Sequence, residues 1–519
     1  MLGVIMSPGG YMLSYANPCG YVVTEHFAFS NIAPLVSYVH SLHVPPAAID
    51  LADPERTITL GIGPDDLDGA PRWRITDGAY GLKNHLFDLI SIGPPFSRMT
   101  IVFADPEGDL VVKDSYSQDH RQREAVLFKK LREDPPGWVT VVETTDTAVK
   151  FKPLEKMNFG SEFAHRQRHR LVLRSTGLPF EKCETISEAV GAIYDLLESN
   201  RRAIVKRRFL HRDISPRNIL IRPTPDSLPK PDDDVCFIRG LYDRNPLRPS
   251  LAIPFDLDNG VKLKEKHLTL KEIDNSLPNT TRDLKAPTGT PMFIARGPLL
   301  GVYDPPARPY MFEPLPQLQP PDAAERYEQA YPSDPFRKKQ GKIGGYNEDL
   351  GNECFEEQPH TMRLIQRPWH DAESMILMFL IFLLRSKPKD SEPEGADKLK
   401  PMQEVYGAVR NTGIGTEVDN RDNMIRGRWR KLLHARLAHL AKSVTEMCQA
   451  LNCDYEFLLP ATGVNHEIVL HEILQRHLFQ MYYKLNDPEE KEFQDVKLDT
   501  SSFRPYHKDP EPKNPVVGC

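Results

Sequence analysis

Eight residues constrain this chain more than any others: His211-Arg212-Asp213-Ile214-Ser215-Pro216-Arg217-Asn218, set between Phe209-Leu210 and Ile219-Leu220-Ile221. Apolar, β-favouring residues on both sides of a polar stretch read as two short strands joined by a tight loop. The loop carries a carboxylate (Asp213) and a carboxamide (Asn218) five residues apart, both turned towards one site. One reading is a charged turn between strands, as most isolated acidic loops are. The other is a functional site built from a proton acceptor and a hard-oxygen ligand.

Composition narrows the choice. At 519 residues the chain can bury one large bilobal core or a few smaller ones. A net charge of −6 demands neither nucleic acid nor an anionic membrane as partner. The seven cysteines are scattered, odd in number and without C-x-x-C spacing, which argues against a disulfide framework or zinc site and for a reducing compartment. The N-terminus lacks a basic region followed by an apolar run, so no signal peptide is expected. The longest apolar run, Met375 to Leu384, is too short to span a bilayer and reads as a buried core helix. The expected location is intracellular, cytoplasmic or nuclear.

Along the chain, Tyr11–Tyr15 and Tyr21–Phe27 predict a hairpin followed by a helix, with a polar loop over 45–70. His85–Ile92, Met99–Phe103 and 110–112 predict strands, the third ending on Lys113. A helix is expected over 119–132, where Glu124 shares a face with Leu127, Phe128 and Leu131. A carboxylate on an apolar face needs a cationic partner, and Lys113 is the obvious one; the alternatives are a strand-end lysine and a surface glutamate. Leu171-Val172-Leu173 reads as a strand before Ser175-Thr176-Gly177. Thr185 and Glu188 form a capping box for a helix whose basic end (Arg201, Arg202, Lys206, Arg207, Arg208) reads as a solvated face rather than a docking site. Proline-rich insertions are expected at 222–250 and 302–368, without a core-forming pattern in the first, and a disordered tail over 485–519. Between the insertions, 251–255 resumes a strand that delivers Asp256-Leu257-Asp258. His370-Asp371-Ala372-Glu373-Ser374 opens the buried helix, and two amphipathic helices follow.

Four segments together resemble the fungal-type protein kinase domain: 168–177 (R-H-R-L-V-L-R-S-T-G), 211–220 (H-R-D-I-S-P-R-N-I-L), 288–295 (T-G-T-P-M-F-I-A) and 370–374 (H-D-A-E-S). The resemblance spans roughly 10–484. It implies an α+β, bilobal protein kinase-like fold: an N-terminal extension (1–80), a small β-rich N-lobe (81–170) and a larger helical C-lobe (171–484) carrying the insertions. It also implies ATP and Mg²⁺ between the lobes and a protein substrate with a Ser/Thr acceptor. By motif position Asp213 is the base and Lys113 the nucleotide lysine paired with Glu124. Asn218 and Asp256 are the metal ligands, Leu173 borders the adenine, and Gly93 belongs to the phosphate loop. Arg217 supplies the positive charge that many such enzymes take from a lysine at the place held here by Ser215. Asp371 braces the catalytic loop backbone. Arg212 would pair with a phosphate on Thr269, Ser276, Thr280 or Thr281. The metal triplet is either Asp256-Leu257-Asp258 or Asp258-Asn259-Gly260.

The chain departs from the family pattern in three places. Gly93 stands alone before Pro94 and Pro95, which lack N–H donors for phosphate. Ser215 replaces the lysine, and Ala295-Arg296-Gly297 lacks the glutamate that ends the activation segment. A pseudokinase scaffold that binds partners through its insertions is the competing reading, and a small-molecule kinase is a third. The segment 288–295 speaks against the last, because such enzymes need no loop to hold an extended peptide.

Overall fold

The structure is a computed structural model. It describes residues 2–17, 20–43, 58–61, 72–77, 82–93, 100–106, 110–118, 124–132, 149–150, 166–173, 177–222, 235–263, 289–300, 315–331, 344–346, 366–413, 420–452, 455, 458–460, 466–490 and 493–506. Helix and sheet are mixed in two compact units. The first takes the described residues from 2 to 126 and from 149 to 173, the second those from 127 to 132 and from 177 to 506.

The first unit is built on antiparallel sheets. Strands β1 (Leu2–Ser7), β2 (Gly10–Asn17), β3 (Gly20–Val23) and β4 (Phe27–Ala28) form one sheet, followed by helix α1 (Ala33–His43). The alternation of Tyr11–Tyr15 therefore gives the expected hairpin. A second, seven-stranded sheet runs in the order β10-β11-β9-β8-β7-β6-β5. Its strands are β5 (Ile58–Gly61), β6 (Arg72–Asp77), β7 (Leu82–Ile92), β8 (Ile101–Ala104), β9 (Val111–Gln118), β10 (Val149–Lys150) and β11 (Arg166–Leu173). Strand β5 lies in a stretch expected to be loop. Ile75, Leu82, Phe87, Phe103, Val112 and Val172 form the core on this sheet. Strand β9 runs past Lys113 to Gln118, so that lysine is interior to a strand and does not close it. Helix α2 takes Glu124–Arg132, and the expected start over 119–123 lies outside the described residues.

The second unit is mainly helical. After strand β12 (Leu178–Pro179), helix α3 (Ile186–Arg202) starts at the N-cap Thr185, whose hydroxyl accepts the N–H of Glu188. The Glu188 carboxylate accepts from the N–H of Glu184, one residue before the expected capping-box partner. Next come β13 (Phe209–Leu210), β14 (Ile219–Ile221), α4 (Ile238–Asp243), β15 (Ala252–Pro254), β16 (Val261–Lys262), α5 (Arg296–Leu300) and α6 (Pro321–Ala330). Helix α7 (Pro368–Arg385) is buried along its whole apolar length, as a helix without a polar face must be. It is followed by α8 (Ala396–Arg410), α9 (Arg421–Ile425), α10 (Trp429–Leu432), α11 (Ala441–Leu451) and α12 (Val469–Asn486). Helix α3 packs against α7 and α12. None of the described helices is long and apolar enough to cross a membrane.

Several stretches expected to lie outside the core belong to it. Within 222–250, Val235, Cys236, Phe237, Ile238 and Leu241 are buried, and within 302–368 so are Leu315, Leu318, Ala323 and Tyr327. The Tyr331 hydroxyl donates to the Cys236 carbonyl (2.8 Å) and meets that of Tyr194 at 3.0 Å, tying both segments to α3. In the tail, Val496, Leu498, Arg504 and Tyr506 are buried, so residues 493–506 are not the disordered end expected. The basic end of α3 is a solvated face only in part, exposed at Lys206. Arg201 is buried against Glu198, which accepts a further bond from Gln475, and Arg208 pairs with Glu467. Among the described residues Cys183, Cys236 and Cys448 are buried free thiols.

Candidate active site

In the second unit the loop 211–218 lies between β13 and β14, as its flanking apolar residues require. Strand β14 pairs antiparallel with β15, with Ile219 opposite Pro254. The next rung is the Phe255 N–H donating to the Asn218 carbonyl at 3.0 Å. The ladder thus sets Asp256 just past Asn218. A short 3-10 turn, Pro216–Asn218, leads back into the sheet and leaves Arg217 exposed while Ser215 and Asn218 are buried. The Asn218 amide donates to the Asp213 carbonyl (2.9 Å), which clips the loop closed and leaves its side-chain oxygen as the atom suited to a cation.

Asp213 is held by neutral donors. Its Oδ1 accepts the Thr290 N–H (3.0 Å) and the Thr290 hydroxyl (3.3 Å), and its Oδ2 accepts the Asn259 amide (2.9 Å). Thr290 reaches it because Gly289 turns the chain at φ +113, a left-handed conformation that favours glycine. A Cβ there would also meet the Arg212 carbonyl at 2.9 Å.

Behind the loop, Asp371 on α7 accepts the His211 N–H (2.7 Å) and the Arg212 N–H (3.0 Å) with separate oxygens. Asn200 on α3 donates to the same carboxylate at 3.2 Å, and Asn200 in turn meets His471 at 2.7 Å. Burial pushes the Asp371 carboxyl up, against the pull of the two backbone donors. His211 accepts the Asp213 N–H at Nδ1 (3.3 Å), so its Nε2 carries the proton and donates to the Phe255 carbonyl (3.0 Å). The loop, α7 and the strand before Asp256 are thereby joined. Arg212, at φ +67, donates to Gln366 (2.5 Å) and to the Asn259 carbonyl (3.4 Å).

Asp256 itself sits at φ +61, outside the strand conformation of the residues before it. A non-glycine residue in that region is held there by its surroundings. The Asp258 N–H reaches the Asp256 carboxylate at 3.4 Å, and carboxylate oxygens of the two residues lie within 4.8 Å of one another. Two carboxylates this close are hard-oxygen donors of the kind Mg²⁺ takes. The residues therefore fit such an ion.

In the first unit Lys113 lies opposite Val102 on one side and Leu171 on the other. Its Nζ donates to Glu124 at 2.9 Å with both side chains almost wholly buried. The next residue, Asp114, points to the other face of the strand and takes a bidentate bond from Arg170 (2.8 and 2.9 Å). Leu127, Phe128 and Leu131 are buried on the Glu124 face of α2, as the spacing predicts. Leu173, buried, ends β11. The Gly93 N–H closes the β7–β8 pair on the Thr100 carbonyl (2.7 Å), and a Cβ there would crowd the Thr100 backbone at 3.2 Å. Residues 94–99, 174–176 and the candidate acceptors Thr269, Ser276, Thr280 and Thr281 lie outside the described residues.

Asn259, Gln366, Asn200 and His471 were not singled out in the sequence. Asn259 could have been, since it belongs to the second register of the metal triplet. The other three carry no local signal: each is a single polar residue brought in by packing.

No curated protein matches the chain. The family model described as fungal protein kinase matches residues 143–381, a stretch that includes Asp213, Asn218, Asp256, Thr290 and Asp371 and begins after Lys113 and Glu124. With Asp213, Asn218, Thr290, Asp371 and Asp256 brought to or beside the loop 211–218, residues 143–381 are similar to the fungal protein kinase family.

Proposed function

We propose that the protein is an ATP- and Mg²⁺-dependent protein kinase of bilobal architecture that phosphorylates Ser/Thr hydroxyls of protein substrates. The observation that carries the reading is the double hold of Thr290 on Asp213, through N–H and hydroxyl, opposite the Asn218 clip. A carboxylate fixed in this way has a defined direction in which to receive a proton. The substrate hydroxyl would lose its proton to Asp213 late in the transfer, as its oxygen bonds to phosphorus. Asp256 and Asn218, with Asp258 beside them, would hold the metal. Mg²⁺ bound there supplies charge neutralisation for the phosphate oxygens. Lys113, fixed by Glu124, would orient the nucleotide phosphates, and Leu173 would border the adenine. Exposed Arg217 would offer positive charge near the transferring group in place of the lysine absent at Ser215.

The acceptor preference follows from the same threonine. A base braced by the segment 289–294 sets a shallow acceptor site, which suits the short reach of Ser or Thr and holds a tyrosine hydroxyl too far out.

Incubation with labelled ATP and generic protein acceptors, beside Asp213→Asn, tests the reading. Phosphoserine and phosphothreonine are expected, with a loss of several orders of magnitude in the variant. Predominant phosphotyrosine would overturn the acceptor assignment. An unlabelled acceptor with intact nucleotide binding would favour the scaffold reading. If Asp258→Asn abolished transfer while Asp256→Asn did not, the metal triplet would be Asp258-Asn259-Gly260.

A further inference from the structure

At 295–297 the chain reads Ala-Arg-Gly, where the family pattern has a glutamate. The structure places Arg296 in an anchored position. Its backbone N–H and its Nε both donate to Glu373 Oε1 on α7 (3.2 and 2.7 Å). Its Nη1 donates to Asp422 on α9 (2.9 Å), and its Nη2 to the Leu451 carbonyl at the end of α11. That carbonyl belongs to the last turn of a helix, where the orphan acceptors and the negative end of the dipole favour a cation. Burial alone would lower the guanidinium, but Glu373 and Asp422 more than offset it, and its pKa is raised. Fully buried Arg421 donates to the carbonyl of Pro291, five residues before Arg296, so the segment is held at both ends.

We infer that Arg296 is a positioning residue that anchors the peptide-platform segment 289–296 by a cation set between the buried carboxylate of Glu373 and the half-exposed one of Asp422. The inference rests on the kinase reading for its consequence in catalysis.

The geometry says why the anchor matters. Glu373 lies two residues after Asp371 on α7, about 200° further round the helix. The first two turns of one helix therefore send Asp371 to the catalytic loop and Glu373 to the segment. Asp213 and its brace Thr290 are both referenced to one rigid element, so the distance between them does not depend on either loop. Arginine suits the task better than lysine, because its fork serves Glu373, Asp422 and Leu451 at once.

Hydrogen exchange on the full chain, wild type against Arg296→Met, reads the anchor directly. Amides of 289–296 should exchange about tenfold to a hundredfold faster, the factor that losing a charge-assisted hydrogen bond gives. Amides of α3 and α12 should stay as protected as before. In kinetic assays kcat for a protein acceptor should fall while KM for ATP stays within about twofold, and Arg296→Lys should recover part of the loss. Unchanged exchange in the segment overturns the inference, as does an equal loss of protection throughout the second unit. If Arg296→Met does not fold, Asp422→Asn replaces it: faster exchange confined to the segment supports the inference, and no change or general loosening overturns it. A wild type without phosphoryl transfer would refute the kinase reading alone, since the exchange result stands independently.

Discussion

Two buried carboxylates on neighbouring helices invite comparison. Asp371, on α7, takes the N–H groups of His211 and Arg212 and so fixes the loop that carries Asp213. Asp195, on α3, takes the N–H groups of Ile238 (2.8 Å) and Leu251 (2.6 Å) and so fixes the start of α4 and the entry to β15. Each uses a buried carboxyl group to satisfy backbone donors that would otherwise lack partners. They differ in what stands behind them. Asp371 is backed by Asn200 and then by His471, in a chain of side chains crossing from α7 through α3 to α12. Behind Asp195 stands the Ser250 hydroxyl, at 3.5 Å. Its carboxyl is pushed up to about 7, by burial first, although the two backbone donors and Arg239 pull it down. The same device thus serves a site in one place and a scaffold in the other.

If that division holds, Asp371→Ala should have the largest effect. It strands two backbone donors and the Asn200 amide, costing about 3–5 kcal/mol. Phosphoryl transfer per folded molecule should also drop about a hundredfold, because the base loses its position. Urea unfolding and single-turnover transfer measure the two effects separately. Asp195→Ala should cost about 2–4 kcal/mol by the same logic while leaving transfer per folded molecule within about twofold. A rate loss as large as that of Asp371→Ala would erase the distinction between site and scaffold.

Acid and base then sharpen it. With a folded pKa of about 7 against an unfolded value near 4, the native state keeps the Asp195 proton after the unfolded chain has released its own. This group's contribution to stability is therefore fully present below about pH 4 and falls as pH rises through 7, by at most about 1.4 kcal/mol per unit. Asp195→Asn should flatten that slope between pH 5 and about 7 in denaturant titrations. A slope equal to that of the wild type would mean Asp195 is already ionised in the fold. Last, Asn200→Ala should cost about 1–2 kcal/mol and lower transfer less than Asp371→Ala does. An effect on stability with none on rate would show that the backing chain stops short of the loop.

Much of this was legible beforehand, and for identifiable reasons. The strands around 211–218, the Lys113–Glu124 pair and the first turn of α7 could be read because each concentrates its signal within a few residues. Lys113 and Glu124 lie only eleven apart, on a strand and a helix whose periodicities place both inward. Asp371 was visible through its neighbours in the motif. Asp195 was not: its partners lie 43 and 56 residues downstream, and nothing around it departs from an ordinary amphipathic helix. Proline content misled at 222–250, 302–368 and in the tail. It is averaged over a segment, whereas burial is decided by short apolar clusters such as 235–238. The basic end of α3 misled in part, because Glu467, which pairs with Arg208, and Gln475, which donates to the Arg201 partner Glu198, are supplied by the turn before the distant helix α12 and by that helix.

The segment 493–506 has a consequence for how this protein is made. Val496 and Leu498 pair their backbone with Ile186 and Glu184 at the start of α3, and the Asp495 carboxylate takes the Ser187 N–H and hydroxyl. Arg504 enters the core to reach Glu394 and the carbonyls of Leu384 and Leu432. A ribosome releases these residues after every helix they clamp. The beginning of α3 and the end of α7 are therefore translated before the strap that covers them. Until then the nascent unit exposes the surface that chaperones bind, and a ribosome stalled before residue 493 would present it indefinitely.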